Sequence, residues 1–444
     1  MDAGEIRDWL KNREYYKVKE YLAGLNEVDL AQLLEEFPEK EQIMLFRLIR
    51  KEDAAEVFSN MEPWMQESLI RAFTITELKE VINDMYLDDT VDLLEEMPAN
   101  AVDKILQAAD AQTRDSINKL LKYPKDSAGS IMTIEYVDLK KAMTVEEAFH
   151  RIRSTGVDKE TIYTCYVTDS DRKLEGLVTV KELLLSPKTA IIGDIMQTHV
   201  IAASTMDDKE EVANQLQKYD FLALPVVDQE YRLVGIVTFD DAMDVLQEEN
   251  TEDIEMMAAI TPTGKPYLKT STIDLWKKRV PWLLLLMVSA TFTGKIIQAY
   301  ESALAAQVVL TAFIPMLMDT GGNAGSQASV TIIRGLSLGE IQMIDIFKII
   351  WKEIRVAFLC GLTLSLANFA KMMLLDRVGL SVALIVCLTL VVTVIIAKIT
   401  GCTLPILAKR IGFDPAVMAS PFITTIVDAL SLIVYFNFAS MLLH

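Results

Sequence analysis

Histidine is nearly absent from these 444 residues, with three in all, and cysteine is rare, with four. His150, His199 and His444 form no HExxH pair, and none falls inside a long apolar segment, so an intramembrane metalloprotease is excluded. Cys165, Cys360, Cys387 and Cys402 make no CxxC pair, and three of them lie in apolar stretches. Neither a disulfide framework nor a zinc site is indicated, and the cysteines read as small buried hydrophobes. Nothing in the chain has the pattern of a catalytic constellation, so it is read as a non-enzyme. Positive charge is also short: 43 Lys and Arg stand against 63 Asp and Glu, for a net charge of −20. The shortage is concentrated in the first 274 residues, with 30 basic against 55 acidic, whereas the remainder has 13 against 8. Such a front part repels phosphates and attracts cations, which excludes nucleic acid as a partner. The opening "MDAGEIRDWLKNREYYKVKE" is charged from its second residue, so no cleavable leader is expected.

What the chain has in quantity is apolar length past residue 275. Five segments, at about 280–300, 304–332, 355–375, 379–407 and 416–442, are long enough to cross a bilayer. Lys277, Lys278 and Arg279 precede the first; Arg334, Lys348 and Lys352 follow the second; Lys409 and Arg410 follow the fourth. The other two connectors carry little positive charge. Basic loops stay on the cytoplasmic side, so the amino terminus is expected inside and the carboxyl terminus outside, in a bacterial-type plasma membrane. Lys295 is expected to snorkel to the headgroups, whereas Lys398 lies deeper and reads as either a structural residue or an ion gate.

The front part changes period along its length. "DLAQLLEEFP", "DAAEVFSNMEP" and "DTVDLLEEMP" each open on an acid, carry apolar residues at helical spacing and close on Pro, which predicts stacked helical hairpins up to about residue 127. From there "TIYTCYVTDSDRKLEGLVTVKELLL" and "FLALPVVDQEYRLVGIVTFDDAMDVL", about 59 residues apart, both read strand, turn, strand, helix. With the helices "MTVEEAFHRIR" and "MDDKEEVANQLQKY" ahead of them, they resemble a tandem of CBS domains, with bounds 128–190 and 191–246. The adenosine-nucleotide site of such modules resembles G-h-h-[ST]-x-x-D. The second copy matches it with Gly235, Thr238 and Asp241, so ATP or another adenosine nucleotide is an expected ligand; the first copy has Gly176 and Thr179 but Glu182 in the last place.

Many carboxylates share helix faces: Asp88 with Asp92, Asp241 with Asp244, and Glu249 with Glu252 and Asp253. Asp208, Glu210 and Asp220 add to them, although Asp208 with Glu211 also fits a helix cap. Two carboxylates about 4 Å apart repel by about 4 kcal/mol at an effective dielectric near 20, so acidic faces pressed together need a counter-charge. Oxygen donors without His or Cys suit a hard divalent ion, Mg2+ or Ca2+.

The second apolar segment holds "FIPMLMDTGGNAGSQASVTII". Its glycines, Gly321, Gly322 and Gly325, are expected to loosen the helix and free carbonyls to face inward, with Asn323, Ser326 and Gln327 extending the polar lining. Close helix packing is the other reading of those glycines. In the fifth segment Asp428 stands alone at membrane depth with Thr424 one turn away. Such a carboxylate must meet water or a cation, which makes it a functional candidate and argues against an anion path. On a two-fold axis it would present two carboxylates to a hydrated ion.

The order of domains, with "MTIEYV", "QEENTEDIEMMAAI", "TGGNAGSQAS" and "DPAVMASPFITTIVD", resembles the MgtE family of magnesium channels over nearly the whole chain. The resemblance implies an all-α superhelical N-terminal domain (1–127), the α+β CBS pair, a connecting helix (247–274) and a five-span α-helical transmembrane domain (275–444). It implies a homodimer that takes up Mg2+ and closes when internal Mg2+ is plentiful; the rival substrate is another divalent cation such as Co2+, Ni2+ or Ca2+. By motif position the pore residues fall on Asp428, Gly322 and Asn323. The Mg2+-sensing acids fall on Glu56, Asp88, Asp92, Asp208, Glu210, Asp220, Asp241, Asp244, Glu249, Glu252 and Asp253.

Overall fold

A computed structural model describes residues 3–263, 267–268, 270–301, 307–418 and 420–442. The chain divides into two compact units, residues 1–246 and 247–444.

In the first unit, ten short helices run from α1 (Ala3–Lys11) to α10 (Ala111–Leu120) among the described residues. Where the acid-to-Pro signature occurs, at helices Glu27–Glu35, Ala54–Ser59 and Leu87–Glu96, it explains their brevity: acids in the first turn complement the helix dipole, and Pro shortly after the end cannot continue the helix. Leu30, Leu34, Phe58, Ile70, Leu78, Ile82 and Ile105 bury one side of successive helices in a shared core.

Two matching α+β modules follow. The first comprises β1 (Asp138–Leu139), α11 (Val145–Thr155), β2 (Thr164–Thr168), β3 (Leu174–Thr179), α12 (Val180–Leu185) and the single turn α13 (Ile192–Ile195). The second comprises β4 (Ala203–Ser204), α14 (Lys209–Tyr219), β5 (Ala223–Val227), β6 (Leu233–Thr238) and α15 (Phe239–Met257). Each sheet has a parallel first pair and an antiparallel second pair. The modules also exchange edges: Thr133 bridges Ile236, and Gln197 bridges Leu177. A hydrophobic cluster joins Val91 of α8 (Leu87–Glu96) and Leu120 to Val212, Leu216 and Leu224 of the second module. That cluster holds the first turn of α8 against the second module.

Among the described residues the second unit carries five long helices: α16 (Thr272–Ala299), α17 (Ile314–Ser337), α18 (Ile346–Lys371), α19 (Leu380–Arg410) and α20 (Ser420–Leu442). Four of them are long and apolar enough to cross a membrane; α17 is not among those four, because its middle is polar. The chain is a multi-pass membrane protein with a helical membrane region. α19 is the most enclosed of these helices, burying residues from Val382 to Ala408.

Three expectations need correction. First, the helix does not break at "TGGNAG": α17 is continuous through Gly321, Gly322 and Gly325. A Cβ at Gly322 would stand 2.8 Å from Thr424 Cγ2, one at Gly321 2.8 Å from Thr393 Cγ2 and Val427 Cγ1, and one at Gly325 2.6 Å from Ile423 Cγ2. The glycines serve close helix packing, and the helix stays whole because its neighbours fill the space a side chain would need. Second, the connecting helix is not one unbroken helix over 247–274: α15 ends at Met257, Ala259 turns left-handed at φ 55° ahead of Pro262, and a new helix begins at Thr272; residues 264–266 and 269 lie outside those described. Third, the helices extend past the apolar runs, beginning at Thr272 and Ile346 where 280 and 355 are expected, because their ends are charged and amphipathic. The expected start of the second span at 304 lies outside the described residues.

Candidate cation sites

Two carboxylate sites stand out, one in each unit. In the first, a carboxylate oxygen from each of Asp88, Glu135 and Glu160 lies within 4.8 Å of the others. Asp88 is in the first turn of α8 and only 5 % exposed. Glu160 and Glu135 are brought together by a backbone bond from Glu160 N–H to the Glu135 carbonyl at 2.9 Å. The Leu87 N–H donates to Glu135 Oε2 at 3.2 Å, which ties α8 to the same carboxylate. Glu160 Oε2 is buried and accepts no hydrogen bond among the described residues.

The first turn of α15 completes the cluster. The Thr238 hydroxyl donates to Asp241, and Asp240 and Asp241 repel Glu160. Burial, with Asp240, Asp241, Asp89 and Glu135 adding repulsion, pushes the Glu160 carboxyl up to about 8. Burial, with Asp240 and Asp89, pushes Asp241 up to about 7 against the lowering bond from Thr238. Burial, with Glu56 and Asp240, pushes Asp89 up to about 6. Asp88 is raised well above the usual range by burial and then by Asp241 and Asp89. Carboxylates converge here in a partly dry pocket with oxygen donors only, a donor set that fits a hard divalent cation.

The sequence-derived acids are spread over several places. Glu56, Asp88 and Asp241 join the cluster. Asp92 is exposed one turn beyond Asp88, and Asp244 is exposed one turn beyond Asp241. Asp208 and Asp220 stand at opposite ends of α14, Asp208 capping it by accepting from Glu210 N–H at 2.9 Å and Asp220 closing it at φ 53°. Glu249, Glu252 and Asp253 lie on the last turns of α15. There Ser337 donates to Asp253 at 3.4 Å, and Arg334 donates to the neighbouring Asn250 at 2.9 Å. Asp89, Glu135, Glu160 and Asp240 are absent from the sequence-derived set. Asp89 and Asp240 are legible as neighbours of residues in that set. Glu135 and Glu160 sit in loops with no periodicity to mark them.

In the nucleotide motif, a Cβ at Gly235 would meet Met132 Sδ and the Thr133 carbonyl at 2.7 Å, so this glycine admits the crossing segment. Thr238 is buried, its hydroxyl engaged by Asp241.

In the second unit, Asp319, Asn323 and Gln327 stand at intervals of four along α17, forming one exposed polar line. Asp428 of α20 is close enough to Asp319 for the two carboxylates to repel. Thr424 packs on Gly322, and its hydroxyl donates to the Pro421 carbonyl at 2.9 Å. Asp319 is the member missing from the sequence-derived set, although its spacing from Asn323 is visible there. Lys398 does not reach this line. It is 6 % exposed and pairs with Glu353 of α18 at 3.8 Å, so it is a structural residue.

Comparisons agree with this division. The model of the MgtE family, described as a divalent cation transporter, matches residues 314–438; that of the MgtE intracellular N domain matches 25–126; that of the CBS domain matches 128–187 and 192–248. The chain is 35 % identical over 452 residues to the magnesium transporter MgtE of Thermus thermophilus, covering 100 % of this chain and 98 % of that one. It is 33 % identical to the magnesium transporter MgtE of Bacillus subtilis, covering 96 % and 95 %. Among solved structures it resembles the cytosolic domain of the Mg2+ channel MgtE in complex with ATP, with TM-score 0.53 and 34 % identity over 55 % of this chain and 100 % of that one. With relatives of this identity aligned end to end, the chain belongs to the MgtE family of divalent cation transporters.

Proposed function

We propose that this chain is a Mg2+ transporter of the plasma membrane, working as a homodimer with its amino terminus in the cytoplasm and its pore between two copies of α17 and α20. The observation that carries the reading is the polar line of Asp319, Asn323 and Gln327 beside Asp428. A carboxylate on the outer face of a membrane helix cannot meet acyl tails without a cost of several kcal/mol, so this face needs water and a second copy of itself. Two Asp428 side chains across a two-fold axis would hold a hydrated ion, the form in which Mg2+ travels most readily. Asn323 and Thr424, with Gly322 keeping the helices close, would set the width of the path.

Gating is assigned to the acidic front part. Its domains are taken as 1–127, 128–190, 191–246 and 247–274, ahead of the channel at 275–444. Glu56, Asp88, Asp92 and Asp241, joined by Asp89, Glu135, Glu160 and Asp240, would bind regulatory Mg2+ and hold the helical domain on the CBS pair. Asp208, Glu210, Asp220, Asp244, Glu249, Glu252 and Asp253 are proposed as further sensor ligands. The family's CBS modules and the ATP complex of a similar cytosolic domain support nucleotide binding in the CBS pair, and Gly235, Thr238 and Asp241 are its proposed contacts.

The test is Mg2+ uptake into proteoliposomes with Co2+, Ni2+ and Ca2+ competed in turn. Asp428→Asn is expected to cut uptake at least tenfold while the protein still elutes as a dimer. Normal flux through that variant removes Asp428 from the path, and preferred uptake of another ion replaces Mg2+ as the substrate.

A further inference from the structure

The outward face of α18 carries Lys348, Lys352 and Arg355 at intervals of four and three, with exposed Phe347 just ahead of them and exposed Trp351 between them. Lys348 is neutralised by Asp345 at 2.8 Å. Among the described residues Lys352 and Arg355 have no carboxylate partner; Glu353, the acid nearest in sequence, pairs with Lys398 instead. The Arg355 guanidinium folds back along its own helix, donating from Nε to the Trp351 carbonyl at 3.3 Å and lying 5.9 Å from the Trp351 ring. Its charge is thereby held toward the start of the helix. Arg355 also forms one wall of a groove of about 430 Å³ between α18 and α19, whose other walls are Ile354, Phe358, Leu359 and Ile395.

A membrane helix that leaves two cations unbalanced beside an apolar trough has a counter-charge missing, and the bilayer offers one. We propose that this groove is a site for an anionic phospholipid, its phosphate held by Lys352 and Arg355 and one acyl chain lying along Ile354, Phe358 and Ile395. The charge complementarity fits a phosphodiester headgroup, and the groove's lining runs from Arg355, three residues past Lys352, to Phe358 and Leu359 one turn further along α18. Trp351, amphipathic and at the end of the span, suits headgroup depth. The site faces the cytoplasmic leaflet, which rests on the orientation proposed above; the binding itself does not depend on which ion is carried.

The test is native mass spectrometry of the detergent-purified full chain with equimolar phosphatidylglycerol and phosphatidylcholine of the same acyl chains. Each cation near a membrane surface adds roughly fivefold to anionic-lipid binding, so the wild type is expected to retain phosphatidylglycerol about 30-fold over phosphatidylcholine. The double variant Lys352→Gln with Arg355→Gln is expected to lose that preference, and each single variant about fivefold of it. Ile395→Trp, which fills the groove and keeps both cations, is expected to lower phosphatidylglycerol retention too. Equal retention of the two lipids by the wild type overturns the proposal, as does an unchanged preference in the variants. Displacement of the lipid by excess inorganic phosphate assigns the cations to a free anion and overturns it as well. Should the double variant fail to fold, the single variants decide the question by the same criterion. Because no flux is measured, a failed transport assay leaves this result standing, and a failed lipid assay leaves the transport reading standing.

Discussion

Mg2+ binding at the cluster of Asp88, Glu135 and Glu160 should expel protons, and the number can be worked out. In the metal-free chain Glu160 titrates near 8, Asp241 near 7 and Asp89 near 6, each raised first by burial. At pH 7 these three groups hold roughly 0.9, 0.5 and 0.1 protons, or about 1.5 together, and Asp88, also raised, adds to them. A cation needs the carboxylates ionised, so binding releases these protons and grows tighter as pH rises from about 6 to about 8, flattening above that. The effect on stability follows from the same shifts. Each folded pKa lies above its unfolded value, so the metal-free fold binds more protons than the unfolded chain. The contribution of these groups to stability is therefore greatest in acid and is lost as pH rises from the ordinary carboxyl range through the folded values, up to about 8. For Asp241 the loss is about 4 kcal/mol, from a displacement of about three pKa units. The assay is titration calorimetry of the full chain at pH 7 in buffers of different ionisation enthalpy, where the slope of heat against buffer enthalpy counts protons. A slope near zero would mean that Mg2+ displaces no protons from these carboxyls.

Three further outcomes follow from the geometry. Gly401→Ala places a methyl on the Gly325 carbonyl oxygen and must push α17 from α19, costing about 1–3 kcal/mol; a melting temperature equal to the wild type's in detergent would speak against that contact. Lys398→Met strands the Glu353 carboxylate in a nearly dry site and should cost about 3–5 kcal/mol, most of it restored by adding Glu353→Gln; a single variant as stable as the double would mean the pair is solvated. Asp319→Asn should reduce Mg2+ uptake by up to about tenfold by weakening the field that draws cations toward Asp428, with the loss growing at low ionic strength; salt-independent uptake at the wild-type rate would take Asp319 off the path.

The features legible in the sequence are those with local causes. The 59-residue recurrence of strand, turn, strand, helix reappears as two sheets of the same order, because β pairing and turn chemistry act within each copy. The apolar runs mark helices for the same reason. What stays hidden depends on where distant segments meet. Glu160 becomes unusual only when its loop is pressed against Asp240 and Asp241, and nothing between residues 156 and 164 announces that encounter. The glycines of α17 carry both meanings, a break or a close approach, and only Val427, Thr424 and Ile423 on the neighbouring helix decide between them. Lys398 is ambiguous until Glu353, far earlier in the chain, stands beside it.

A face stripped of side chains has a mechanical consequence for α17. With Thr424, Val427 and Ile423 lodged against bare backbone, there is no soft matter to compress, so small tilts on that side meet a hard stop. Under the gating proposed above, α17 would move as a stiff rod, carrying Asp319, Asn323 and Gln327 in fixed order like marks on a ruler. A larger residue at any of those three glycines is expected to force the neighbouring helices apart.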